Sequence, residues 1–129
     1  MTFKFSIFLD DILDEILNVA DLLVLHKVDE ENEYLIDLAK ILVKSCEQVT
    51  KLAYKLEKLK NINETLEKLG DYRRKARKVY RNSVSHLFSG ELKSFDVLKL
   101  KDINEALNHA IHLADHVGEI VEAITLKHS

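Results

Sequence analysis

The stretch Leu35-Ile36-Asp37-Leu38-Ala39-Lys40-Ile41-Leu42-Val43-Lys44-Ser45-Cys46-Glu47-Gln48-Val49-Thr50-Lys51-Leu52 decides the fold. Its apolar residues Leu35, Leu38, Ile41, Leu42, Val49 and Leu52 recur at three- and four-residue steps, the repeat of one face of an α-helix. The stripe continues through Ala53, Leu56 and Leu59. It predicts a helix of roughly 28 residues, ~42 Å long at ~1.5 Å per residue. The acids Asp29, Glu30 and Glu31 precede it, where negative charge suits the positive end of a helix dipole.

Outward from this segment the same period recurs. Upstream, Leu9, Leu13, Ile16, Leu17, Ala20, Leu23 and Val24 predict a first helix over 7–24, closed by the basic residues His26 and Lys27. Downstream, a third helix is expected over 61–88, with Asn61 or Asn63 as its cap and Ser89-Gly90 as its stop. Asp102 followed by Glu105 reads as a variant capping box opening a fourth helix, whose stripe is Leu107, Ala110, Ile111, Ala114, Val117, Val121 and Ile124. Residues 91–101 read equally as a short helix or a connector. No glycine or proline forces a break over 58–63, but an unbroken helix over 30–88 would reach nearly ~90 Å, beyond a compact domain of this size.

Composition agrees. The 129 residues are 47% hydrophobic and 32% charged, with no proline and only three glycines. That excludes disorder and leaves too little turn chemistry for an all-β fold. The expectation is an all-α chain, an antiparallel bundle of four helices forming one domain over 1–129. A net charge of −3 gives no global reason to expect nucleic acid or an anionic membrane as a partner. The single cysteine, Cys46, has no disulfide or CxxC partner. Asp10 and Asp11 interrupt the apolar N-terminal run before it could serve as a signal peptide or membrane span. A cytoplasmic protein is expected.

Beside the apolar stripes lie the groups with chemistry. Asp10, Asp14 and Asp21 share one edge of helix one within about 40° at ~100° per residue. Glu67 and Asp71 repeat the four-residue acid spacing on helix three. Carboxylates so spaced chelate a hard cation or form a solvated acidic edge. The segment 73–81 carries six basic residues in nine, Arg73, Arg74, Lys75, Arg77, Lys78 and Arg81, flanked by Tyr72 and ended by Tyr80. It either meets phosphate, anionic lipid or nucleic acid or balances the acids of neighbouring helices, and basic residues on all sides of a helix fit no single groove. His109, His112 and His116 lie opposite the stripe of helix four and are expected to be exposed. His112 and His116 have the spacing of a metal-binding imidazole pair, but Leu113, Ala114 and Asp115 between them are not those of an HExxH protease. No glycine elbow, phosphate loop or activated cysteine marks a catalytic site, so no enzyme is expected.

The recurring acid pairs on an all-α chain lead to a family. Residues 9–14 (Leu-Asp-Asp-Ile-Leu-Asp), 19–23 (Val-Ala-Asp-Leu-Leu), 66–71 (Leu-Glu-Lys-Leu-Gly-Asp), Leu87-Phe88 and the helix over 107–124 together resemble PhoU-like proteins, the phosphate-transport accessory type. The resemblance implies transition-metal clusters held by E/D-x-x-x-D motifs. Carried over residue by residue, it points to Asp10, Asp14, Glu67 and Asp71 as ligands to iron, zinc or nickel. Helix four departs from the motif, with His112, Asp115 and His116 as the available substitutes. The resemblance covers one of the two repeats usual in the family, which implies a homodimer. It further implies a regulatory or accessory role toward a phosphate transporter or its signalling partner, at or near the membrane. Two alternatives stand beside this metal-binding regulator: a metal-free module that docks a partner protein, and a phosphate or anion sensor using Arg73, Arg74, Arg77 and Arg81.

Overall fold

A computed structural model describes residues 2–25 and 32–127, with side chains for 9–19, 21, 22 and 32–126. The chain forms four helices: α1 (Thr2–Leu25), α2 (Glu33–Glu57), α3 (Asn63–Leu87) and α4 (Ser94–Lys127). There is no strand among the described residues. The expected all-α class is therefore present. The basic pair His26 and Lys27 and the acids 29–31 lie outside the described residues.

α2 begins where Asn32, in extended conformation, accepts a hydrogen bond at Oδ1 from the Leu35 N–H at 3.1 Å. Such a cap satisfies one of the donors that a helix start leaves unpaired. Its end explains how the chain turns without glycine. Leu59 takes a left-handed φ of 55°, the Lys60 N–H reaches the Lys55 carbonyl at 2.8 Å and the Leu59 N–H reaches that of Leu56 at 3.2 Å. These are the paired bonds of a Schellman cap, built here on a leucine. At the start of α3, Asn63 is the first helical residue and Ile62 occupies the cap without a side-chain bond. Asn61 contributes from outside the helix, its Oδ1 accepting from the Asn63 N–H at 2.9 Å. At the other end of α3, Gly90 has φ +88°, a conformation costly for any residue with a Cβ.

The fourth helix departs from expectation. α4 opens at Ser94 and runs 34 residues, so Asp102 and Glu105 lie inside it and form no capping box. The stretch 94–101 belongs to the helix because α4 is the central element. It packs against each of the other three helices, whereas the backbone of α1 runs beside that of α4 alone among the described residues. One apolar cluster gathers Leu35, Leu38, Leu42, Ile103, Leu107 and Ala110, a second Val49, Leu52, Leu69, Ala114, Val117 and Val121. Each fully buried leucine or valine contributes about 1.5–3 kcal/mol. Leu13 and Leu17, expected in the core, are 57% and 62% exposed. A helix flanked by one neighbour buries only a narrow stripe, and on α1 that stripe passes through Ile12 and Val19.

Candidate functional site

α3 and α4 approach closely. A Cβ on Gly118 would stand 3.1 Å from Leu69 Cδ1 and 3.2 Å from Leu66 Cδ2. At the level of the next turns a polar seam opens between the two helices. Arg73 of α3 donates from Nη1 to Asp115 Oδ2 at 3.0 Å and to Glu119 Oε1 at 3.4 Å on α4. Adjacent to this clamp lies a cavity of about 300 Å³ lined by Arg73, Arg77, Tyr80 and Arg81 of α3 and by Asn108, Ile111 and His112 of α4.

Helical spacing puts these residues together. Arg73, Arg77 and Arg81 are four apart and lie within about 80° on α3, while Asn108 and His112 are four apart on α4. The basic segment is thereby sorted: Arg73, Arg77 and Arg81 line the groove, the last two as exposed residues, while Arg74, Lys75 and Lys78 do not line it. Arg74 pairs instead with Asp71 on the surface of its own helix. Within the cavity, Arg73 is neutralised by its two carboxylates. Arg77 and Arg81 have no ion-pair or hydrogen-bond partner among the described residues.

The local field is read from His112. Its pKa is held below the ordinary value of 6.5, first by partial burial and then by the Arg73 guanidinium, with His109 adding to the effect and Asp115 and Glu119 opposing it. The imidazole on the cavity wall is thus mainly neutral at pH 7. The Tyr80 hydroxyl is pushed above its ordinary value by burial and by the nearby charge of Glu105. Along the same face of α4, four residues before Asn108, Asn104 is fully buried with neither amide atom bonded among the described residues; Ser83 of α3 is likewise buried with an Oγ unpaired among them. Sequence reading missed both, because a polar residue within a helix gives no sign of its depth.

The acid pairs are placed apart. Asp10 and Asp14 are exposed on α1, and Glu67 and Asp71 are exposed on α3, a helix beside which α1 does not run. His112, Asp115 and His116 share α4, but Asp115 is engaged by Arg73, and the His116 Nδ1 lies 3.4 Å from Glu119 Oε2. Among the described residues no group of three or more histidine, cysteine or acidic side chains is gathered for a metal ion. His109, His112 and His116 are exposed, as their position opposite the apolar stripe predicts. Cys46 is half-buried against both apolar clusters, and burial raises its thiol pKa, the condition of an unreactive cysteine.

A second cavity, of about 420 Å³, separates α1 from α4 and is lined by Glu15, Asn18, Leu22, Asp102, Glu105, Ala106 and His109. His109 Nδ1 meets Glu15 Oε2 there at 3.2 Å. No helix of the described residues is long and apolar enough to cross a membrane. No family model matches the chain, and no curated protein matches it.

Proposed function

We propose that this chain is a non-catalytic, PhoU-like regulatory bundle of antiparallel helices that senses a phosphate anion in the cytoplasm through the α3–α4 cavity. Occupancy is passed to a phosphate transporter or its signalling partner. The observation that carries this reading is convergence: the guanidiniums of Arg77 and Arg81, unpaired among the described residues, share one cavity with Asn108 and His112 of a second helix. Guanidinium forks match phosphate oxygens in shape and charge, and an amide and an imidazole add neutral donors. An anion held there bridges α3 to α4 and so favours the packed arrangement of the two helices. Leu13 and Leu17, exposed four residues apart on α1, support a homodimer through that helix.

The test is thermal melting and calorimetric titration with sodium phosphate at fixed ionic strength. At 100 times the dissociation constant, phosphate is expected to stabilise the fold by about 2.7 kcal/mol, and Arg77→Ala with Arg81→Ala to abolish the effect. Elemental analysis of the same preparation separates this reading from the metal-bound one. A stoichiometric transition metal lost together with phosphate binding in Glu67→Ala/Asp71→Ala would assign the anion to a metal and overturn the arginine site.

A further inference from the structure

The α3–α4 cavity carries more chemistry than inorganic phosphate requires. Two guanidiniums, those of Arg77 and Arg81, have no ion-pair partner among the described residues, while the third is neutralised by Asp115 and Glu119. The charges of these two side chains match a dianion. The volume of about 300 Å³ is roughly ten times the ~30 Å³ share of a water molecule and stands at the lower bound of small-ligand cavities, far more than five phosphate atoms fill. Its lining combines the guanidiniums of Arg77 and Arg81 with the half-buried Tyr80 and the buried Ile111. An inorganic anion has no use for an aromatic and an aliphatic wall.

Resting on the anion-sensing reading above, we infer that the ligand is an organic phosphate monoester: Arg77 and Arg81 hold its dianionic phosphate, and its organic group lies against Tyr80 and Ile111. Asn108 and His112 line the same space from α4 and add polar groups to it. The chemistry is shared by nucleoside monophosphates and sugar phosphates, which differ in whether an aromatic base is present to stack on the tyrosine.

Calorimetric titration of the full chain with adenosine 5′-monophosphate, ribose 5-phosphate, inorganic phosphate and adenosine tests this. Both monoesters are expected to bind at least about tenfold more tightly than inorganic phosphate, and adenosine not to bind, since the forks provide the anchoring contact. A preference for adenosine 5′-monophosphate over ribose 5-phosphate that disappears in Tyr80→Leu identifies a nucleotide; equal affinities identify the sugar phosphate. Arg77→Lys, which keeps the charge and loses the fork, is expected to weaken the monoesters about tenfold in a variant whose helical circular dichroism is unchanged. Equal affinity for monoester and inorganic phosphate would overturn the inference while leaving the phosphate reading intact. Binding of none of the anions would overturn both.

Discussion

Arg73 and Asp115, 42 positions apart in the chain, meet at 3.0 Å across the α3–α4 seam, the arginine half-exposed and the aspartate buried. The asymmetry of burial sets the energetics. Removing the arginine strands a carboxylate that is already out of water, whereas removing the aspartate leaves a cation that can turn to solvent. Arg73→Ala is expected to cost about 1.5–3 kcal/mol in urea unfolding, and Asp115→Asn added to it to recover part of that loss. Strict additivity of the two substitutions would show that the pair is not coupled.

Leu59 is a point of backbone strain. It holds φ 55° at the end of α2 and is 93% exposed, so its side chain contributes no packing to offset the conformation. Left-handed backbone costs a residue with a Cβ about 1–2 kcal/mol, a cost glycine lacks. Leu59→Gly is expected to raise stability by about 0.5–1 kcal/mol after the added freedom of the unfolded chain is subtracted. A lower denaturation midpoint in this variant would contradict the cap.

Asn104 is completely buried with both amide atoms unpaired among the described residues, and Leu69 is buried to the same depth. Truncating a buried leucine costs about 2–5 kcal/mol, but truncating an unsatisfied amide also relieves a desolvation penalty of about 1–3 kcal/mol. Asn104→Ala is therefore expected to cost less than about 1 kcal/mol, and Leu69→Ala several times more. Equal losses in chemical denaturation would mean that the Asn104 amide is satisfied in solution.

His112 makes stability depend on pH. Its folded pKa lies below the unfolded value near 6.5, so the unfolded chain takes up the proton first. The stability this group contributes is complete above about pH 6.5 and is lost as pH falls through the folded pKa. Partial burial sets the sign first, joined by Arg73 and His109, which disfavour the charged ring, against Asp115 and Glu119, which favour it, with Arg77 and Arg81 lining the same cavity. His112→Gln is expected to show a shallower fall in melting temperature between pH 7 and pH 5 than the parent chain. An unchanged slope would place the titration elsewhere.

The helical class was legible in the chain because period is a local property. The positions Leu35, Leu38, Leu42, Val49 and Leu52 are all buried, as their spacing predicts, and so are Leu107, Ala110, Ile111, Ala114, Val117 and Val121. Boundaries were less legible. Asp102 and Glu105 have the spacing of a helix start, yet α4 begins at Ser94, since packing against α1, α2 and α3 outweighs a cap worth about 1 kcal/mol. The break between α2 and α3 followed only from the size of the domain, because nothing in residues 58–63 announces a left-handed leucine.

The cavity shows the same division. By itself the sequence determined that six cations crowd nine positions of one helix and that three histidines stand on the outer face of another. Only the tertiary structure decided that Arg77 and Arg81 share a cavity with Asn108 and His112 while Arg74 turns to Asp71, and that Asn104 lies in the interior. The physical reason is range. Helical period and charge density are set by neighbours three or four residues away, whereas the partner of a guanidinium and the depth of an amide depend on which turn of a distant helix is packed against them.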